Sequence, residues 1–438
     1  MIWLSSLADI LRRAGQGALG RELDRARFTV WVEQWYPGWL VREKQEARLW
    51  ELVAYAREAS PFYRERLSSL PASFSREEYA RIPPLTRAEL ATHASRIRTG
   101  RAWLGRGSGG SGGRGIAIPV DRSAYAWYMA GTWRGLQWWG TDFTERGVIL
   151  LGPGSRGLRG LVIQAKDWVM NWLRLPVDGR FETHIPTFLH RIRAHEPAFL
   201  YAFPSAAHAL ARAILEGKGK APSGLKVVVL TGEPLYAFQR REIEQAFQCP
   251  VAQEYGSGEV GCMAFQCPQG TLHLTAESAY LEALRDPALP EGGRMLVTVL
   301  HNRRFPLLRY EIGDVGQIED APCSCGRALP AVRVLGRAQE LLAADGEVRF
   351  AHPVLDRLFE ILPSHLRGRV RIRQRAPARL AVEAAEGSDA DLLRAREFLK
   401  DLVGPGWQVE AERATISRLP SGKVAYFLRD GAGALSHQ

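Results

Sequence analysis

The stretch Gly105–Gly115, GRGSGGSGGRG, places seven glycines in eleven positions. No helix or strand runs through such a segment without a heavy loss of backbone entropy. It therefore divides the chain. Before it, residues 1–100 read as helical. Glu46–Glu58 carries Leu49, Leu52, Val53 and Ala56 near helical period and stops at Ser60-Pro61, since the residue before a proline leaves the helical region. Pro83-Pro84 makes a second break, and Thr86, three residues before Glu89, suits a capping box. After the glycines, short apolar runs at Ile116–Val120, Val148–Leu151, Ala198–Ala202 and Leu225–Leu230 alternate with helical stretches, which predicts α/β layering. Met295–Leu300 and Val315–Ile318 belong to a more purely β region. The C-terminal part reads β-β-α-β: strands Val370–Arg375 and Leu380–Ala384, a helix near Asp389–Leu402, and a strand Gln408–Thr415. That unit is large enough for a small α+β domain.

Length and charge narrow the function classes. At 438 residues the chain exceeds what one core supports. It has no apolar run of the roughly 18 residues a membrane span needs. Its opening, MIWLSSLADILRRAG, puts the basic residues after the apolar run, unlike a signal peptide. Trp3, Leu4, Leu7, Ile10 and Leu11 share one face of an amphipathic helix there, expected to dock on the protein body and not on a membrane. The formal charge is +11, but only seven of the 58 basic residues are lysine and the arginines are scattered. This favours small polyanions such as nucleotides over nucleic acid. The five cysteines are odd in number and mostly clustered, which suits a reducing, cytoplasmic compartment and a metal site.

Six short segments could carry chemistry. The first is the glycine-rich loop, with Ser108, Gly109, Gly110, Ser111, Gly112 and Arg114. Its backbone N–H groups could converge on an anion, or it could be a linker. No Gly-Lys-Ser/Thr closes it, and it does not open a helix after a strand, so it matches neither a P-loop nor a dinucleotide fingerprint. Thr231-Gly232-Glu233 follows the apolar strand Leu225–Leu230, where ligands gather in open α/β sheets. The others are Glu254-Tyr255-Gly256-Ser257-Gly258-Glu259, Arg309-Tyr310-Glu311-Ile312-Gly313-Asp314, Leu335-Gly336-Arg337 and Leu419-Pro420-Ser421-Gly422-Lys423. Each alone passes for a turn.

Their order resembles the acyl-adenylate-forming enzyme superfamily. Within it the chain is most similar to the phenylacetate–CoA ligase family, including homologues found with capsular polysaccharide genes. Ser60-Pro61-Phe62-Tyr63, Ile82-Pro83-Pro84-Leu85-Thr86-Arg87 and Ala202-Phe203-Pro204-Ser205 support that narrower likeness. The resemblance implies a large multi-layer α/β N-terminal adenylation domain, residues 1–337, and a small mobile α+β C-terminal domain, residues 338–438, hinged near Ala338–Glu340. It implies ATP-dependent activation of a carboxylic acid, then transfer to coenzyme A. The glycine-rich loop would embrace the β- and γ-phosphates of ATP. Gly232, Glu233, Tyr255 and Gly256 would line the adenine pocket. Ser257 would contact the α-phosphate, Glu259 would hold Mg²⁺, and Asp314 would bind the ribose hydroxyls. Arg337 would assist at the ribose or phosphate. Lys423 would bridge the carboxylate and α-phosphate. A lysine suits a mobile point charge swung in from a second domain.

The loop departs from the family pattern, having Gly110 and Gly113 where a hydroxyl and a lysine usually stand. Two alternatives therefore stand beside coenzyme A transfer: a different acceptor (amine, alcohol or carrier-protein thiol), or a nucleotide-binding homologue without turnover. Cys267, His273, Cys323 and Cys325 form a closed three-cysteine, one-histidine set suited to structural Zn²⁺, with Cys262 in reserve. The family carries a similar arrangement. An aryl or apolar acid is expected, its pocket walled by some of Trp127, Tyr128, Trp133, Trp138, Trp139, Phe203 and Tyr236; ordinary core packing is the alternative for each. A homodimer is compatible with all of this.

Overall fold

The computed structural model describes residues 20–71, 75–101, 104–107, 117–155, 157–320, 322–344 and 346–430. The amphipathic stretch around residues 3–11 and the glycine-rich residues Ser108, Gly109, Gly110, Ser111, Gly112 and Arg114 lie outside them.

Helices open the chain: α1 Gly20–Glu33, α2 Gly38–Ala59, α3 Pro61–Arg66, α4 Arg76–Ala80 and α5 Arg87–Ile97. α2 starts earlier than its apolar spacing suggested. Val41 and Gln45 extend its buried face, and the Gln45 amide donates to the Ala279 carbonyl at 2.8 Å. The expected capping box at Thr86 and Glu89 forms and starts α5 at Arg87.

β1 Leu104–Gly107 and β2 Ala117–Val120 pair antiparallel on either side of the glycine-rich run. Then come α6 Arg122–Trp138, β3 Gly147–Leu150, α7 Gly157–Val169, β4 Trp172–Arg174, α8 Ile185–His195, β5 Phe199–Ala202, α9 Pro204–Leu215, β6 Val227–Thr231, α10 Ala237–Phe247 and β7 Val251–Ser257. β8 Gly261–Gln266, β9 Leu272–Leu274, β10 Ala279–Arg285, β11 Gly293–Val299, β12 Tyr310–Glu319 and β13 Ala331–Arg337 follow. These form one eleven-stranded sheet, ordered β10-β11-β12-β13-β9-β8-β7-β6-β5-β3-β4. β3 to β7 are parallel, and the rest of the sheet is antiparallel. β3 and β6 are buried throughout, as strands covered by helices on both faces are.

The smaller C-terminal domain begins with the hairpin β14 Leu341–Ala344 and β15 Glu347–Phe350, followed by α11 Ala351–Ile361. β16 Val370–Ala376, β17 Arg379–Ala384, α12 Asp389–Val403 and β18 Gln408–Arg413 give the expected β-β-α-β unit. A further strand, β19 Phe427–Arg429, pairs parallel to β16 and is too short to register as a periodic pattern. The irregular connection from β18 to β19 carries Lys423. This domain's core takes in Tyr236 and Phe238, at the start of α10, beside Phe359 and Tyr426. No helix among the described residues is long and apolar enough to cross a membrane.

Candidate active site

Side chains from four separated segments meet where the parallel strands end and the smaller domain leans over them. β7 ends in Tyr255, Gly256 and Ser257, and Glu259 lies in the tight turn into β8. The Tyr255 hydroxyl donates to Asp314 Oδ2, on β12, at 2.9 Å. The Arg337 guanidinium, at the end of β13, lies 3.4 Å from Asp314 Oδ1. The Ser257 hydroxyl oxygen accepts from the Glu259 amide at 3.3 Å. Glu259 is buried, with Arg87 Nη1 3.5 Å from its carboxylate. Gly256 is required by close approach: a Cβ there would lie 2.5 Å from the Gly261 carbonyl oxygen.

Lys423 enters from the second domain. Its ammonium nitrogen stands 5.5 Å from the centre of the Phe203 ring, and its Cε lies beside Gly232, which has a positive φ of 79°. Burial and the like charge of Arg337 push Lys423 below the ordinary lysine range, opposed by Glu233, Asp314 and Glu259. Burial raises Asp314, against the pull of Arg337 and the Tyr255 hydrogen bond. Burial also raises Glu340, just beyond β13, against the pull of Arg337. Arg337 itself is held firmly cationic, first by Asp314. Groups of both signs thus face one another without complete neutralisation, the electrostatic pattern of sites that bind charged ligands.

Glu233 has a different set of neighbours. One carboxylate oxygen accepts from the Ser205 hydroxyl at 3.0 Å and the Val424 amide at 2.8 Å, and the other accepts from the Ser205 amide at 2.9 Å. Both oxygens are therefore engaged by protein donors.

Four residues at the site escaped the sequence reading of roles. Arg87 was visible only as part of the Pro-Pro-Leu-Thr-Arg text. Its segment is stitched to the strand carrying Asp314: the Leu85 amide donates to the Arg309 carbonyl at 2.9 Å, and the Glu311 amide donates to Leu85 at 3.0 Å. Ser205 belongs to the Phe-Pro-Ser text that opens α9. Glu340 and Arg418 had no signal apart from their nearness to Arg337 and Lys423. Conversely, Arg309 is a structural residue. Its buried guanidinium pairs with Glu282 at 3.0 Å and donates to the Ala80 and Ile82 carbonyls.

Most of the aromatic residues expected around the acid are core. Trp127 stacks on His301, with ring centres 3.8 Å apart. Trp133 donates to Asp142 and Trp139 donates to the Gln266 carbonyl at 2.8 Å. Trp138 packs on Phe265 and His273. Tyr236 packs against Phe359 and Tyr426 of the smaller domain. Tyr128, whose hydroxyl donates to the Glu259 carbonyl at 3.4 Å, and Phe203, beneath Lys423, remain beside the charged cluster. Aromatic composition alone cannot separate a pocket wall from a core, because both bury the same rings.

Cys267, His273, Cys323 and Cys325 converge, their potential ligand atoms all within 4.8 Å of one another. The Cys267 and Cys323 sulfurs are 3.8 Å apart. This matches the separation of about 3.8 Å expected for two thiolates about 2.3 Å from one tetrahedral zinc. His273 Nε2 faces Cys325 Sγ at 3.2 Å, while Nδ1 lies 3.1 Å from the Leu329 carbonyl oxygen, which orients the ring for Nε2 ligation. The donor set thus fits Zn²⁺. Cys262, the reserve candidate, is not part of the cluster and contacts Thr275 and Ala264 instead.

No protein-family model matches the chain. It is 27% identical to the phenylacetate-coenzyme A ligase of Thermus thermophilus over 330 residues, 70% of this chain and 72% of the relative. It is 23% identical to protein CapK of Staphylococcus aureus over 318 residues, 68% of each. In structure it is similar to 2-hydroxyisobutyryl-CoA ligase in the postadenylation state in complex with 2-HIB-AMP: TM-score 0.72, 20% identity, 88% of both chains covered. The TM-score to an open conformation of that ligase, in complex with 2-HIB-AMP and CoA, is 0.60, with 20% identity and 88% and 90% of the chains covered. The fold is therefore that of the adenylate-forming ligases.

Proposed function

We infer that this chain is a phenylacetate–CoA ligase-like member of the acyl-adenylate-forming enzymes, and that it uses ATP to convert a carboxylic acid into an acyl-adenylate. The observation that carries the reading is the meeting of Lys423, from the second domain, with Asp314, Arg337 and Glu259, from the ends of the large sheet. The sequence likeness to a phenylacetate-coenzyme A ligase supports the same reading.

In the first half-reaction a carboxylate oxygen attacks the α-phosphorus of ATP, and the bond to pyrophosphate breaks. Negative charge accumulates on the α-phosphate as two anions approach. Lys423 supplies the cation between them, with Arg337 in support, which is electrostatic stabilisation of the transition state. Asp314 accepts from the ribose hydroxyls. Tyr255, Gly256 and Gly232 line the adenine, and the Ser257 hydroxyl donates to the α-phosphate. Glu259 is the acidic residue suited to Mg²⁺, which when bound would offset phosphate charge. The glycine-rich loop with Ser108, Ser111 and Arg114 would hold the outer phosphates. In the second half-reaction a thiol, that of coenzyme A, attacks the acyl carbon; AMP leaves and the thiol proton passes to solvent. Zn²⁺, when bound by Cys267, His273, Cys323 and Cys325, supplies only a crosslink, since four protein ligands leave no open position.

The reading is tested by incubating the protein with ATP, Mg²⁺ and a panel of aryl, fatty and hydroxy acids, with and without coenzyme A, and analysing products by mass spectrometry. Acyl-adenylates and AMP are expected for at least one acid, with a thioester when coenzyme A is present. Adenylates that are captured only by amines or alcohols would reassign the acceptor. Absence of adenylate with every acid would remove the proposed activity.

A further inference from the structure

The segment bearing Lys423 is held on both sides, on one directly by the large domain and on the other through Arg418 of the same loop, which is itself anchored to the large domain. Ahead of Lys423, the Gly422 carbonyl accepts from Arg418 Nη1 at 3.0 Å. After it, the Val424 amide donates to Glu233 at 2.8 Å. Ser205 joins these anchors: its hydroxyl donates to Glu233 at 3.0 Å and accepts from Arg418 at 2.9 Å. Arg418 also reaches Glu182 at 2.8 Å and lies over the Phe181 ring, 4.7 Å from its centre. Its side chain is only 3% exposed, although it belongs to a loop. Gly422 adds a steric condition. Its φ is +86°, and a Cβ there would lie 2.2 Å from the Val177 carbonyl oxygen.

We propose that Glu233 and Arg418, joined through Ser205, are positioning residues that clamp the backbone on either side of Lys423 and serve the adenylation half-reaction specifically. This rests on the function proposed above. The geometry leaves the lysine side chain free while fixing the backbone that carries it. Placement of that kind is what a charge-stabilising group requires, and a misplacement of about 1 Å can cost on the order of 100-fold in rate. The better match to the postadenylation than to the open conformer of one ligase agrees with a smaller domain placed as in that postadenylation state. In transfer to the acceptor no second anion approaches the α-phosphate, so the charge that Lys423 supplies, and the clamp with it, should matter less in that step. Glu233 acts here through the loop, with three hydrogen bonds from protein donors on its carboxylate.

The test uses Glu233→Gln, Arg418→Ala and Arg418→Lys in the full-length protein, with the acid found by the panel. ATP–pyrophosphate exchange should fall roughly 10- to 100-fold in kcat for Arg418→Ala and Glu233→Gln, with the KM for ATP within about twofold. Arg418→Lys should recover part of the loss. Transfer from supplied acyl-adenylate to the acceptor should stay at the wild-type rate. A raised KM for ATP at unchanged kcat in Glu233→Gln would make Glu233 a nucleotide contact and overturn the clamp. Equal losses in both half-reactions would reduce it to general scaffolding. Hydrogen–deuterium exchange over residues 414–426 gives a readout independent of any acid. Glu233→Gln and Arg418→Ala should exchange faster there than the wild type, and unchanged protection overturns the clamp even in a protein with no turnover. A wild type that forms no adenylate contradicts the proposed function instead.

Discussion

Cys267, His273, Cys323 and Cys325 come from two short segments and close on one another within 4.8 Å. Lys423, Asp314, Arg337 and Glu259 come from four segments and hold opposing charges in partial balance. The first set needs only a metal to be complete, and its ring orientation is already set by the Leu329 carbonyl. In the second, burial pushes Lys423 down and Asp314 up, so their charged forms are less favoured than in water and a charged ligand can offset that cost. A closed donor set suits a structural crosslink, and an unbalanced one suits chemistry.

The largest break in this comparison comes from the metal. Purified protein should carry about one equivalent of zinc. Chelation, or Cys267→Ser, should destabilise the lobe built on β8, β9 and β13. For a chain of this size each 1 kcal/mol shifts Tm by about 1 °C, so a loss of several kcal/mol lowers Tm by roughly 5 °C. Elemental analysis and calorimetry check this. A Tm indifferent to chelation would make the cluster free thiols.

Asp314→Asn probes the other side. It removes an ionised acceptor, and charged hydrogen bonds contribute about 1.5–3 kcal/mol, so the KM for ATP should rise roughly 10- to 100-fold while Tm hardly moves. An unchanged KM would take the ribose away from Asp314.

pH gives a smaller effect. In the proposed role Lys423 acts as a cation, and burial with Arg337 lowers its pKa below the usual lysine value of about 10.4. Adenylation should therefore decline on the alkaline side before an ordinary lysine would deprotonate. Arg337→Gln removes a like charge and should move that limb upward, whatever it does to the plateau rate. A limb that stays in place would separate it from Lys423.

The smallest effect is expected of Trp139→Phe, which loses one hydrogen bond to Gln266, worth about 1 kcal/mol, and should leave the ranking of acids unchanged. Phe203→Ala should change that ranking. The check is the ratio of kcat/KM for two acids of different size; an altered ratio in Trp139→Phe would return that ring to the pocket wall.

The contrast also explains what the sequence made legible. Buried parallel strands such as Val227–Thr231 announce themselves by unbroken apolar runs, and Thr231-Gly232-Glu233 is conspicuous because it follows one. The Thr86 capping box is a local pattern and appeared as read. The metal-compatible cluster was legible because cysteine is rare in this chain and its spacing is short. Arg418 was hidden for the opposite reason, as one arginine among many. Its partner Ser205 is 213 positions away, a separation no local pattern spans. The tryptophans left both readings open because Trp133, Trp138 and Trp139 have the same apolar signature whether they meet a ligand or Phe265, Asp142 and Gln266. β19 has only three residues and is defined by its register with β16.

The central claim, that Lys423 reaches in from a second domain to serve acid adenylation, is tested most directly by ATP–pyrophosphate exchange in the wild type and in Lys423→Ala, using the acid found by the panel. Acid-dependent exchange in the wild type and none above background in a folded Lys423→Ala protein is the predicted result. Exchange that survives the substitution unchanged would contradict it.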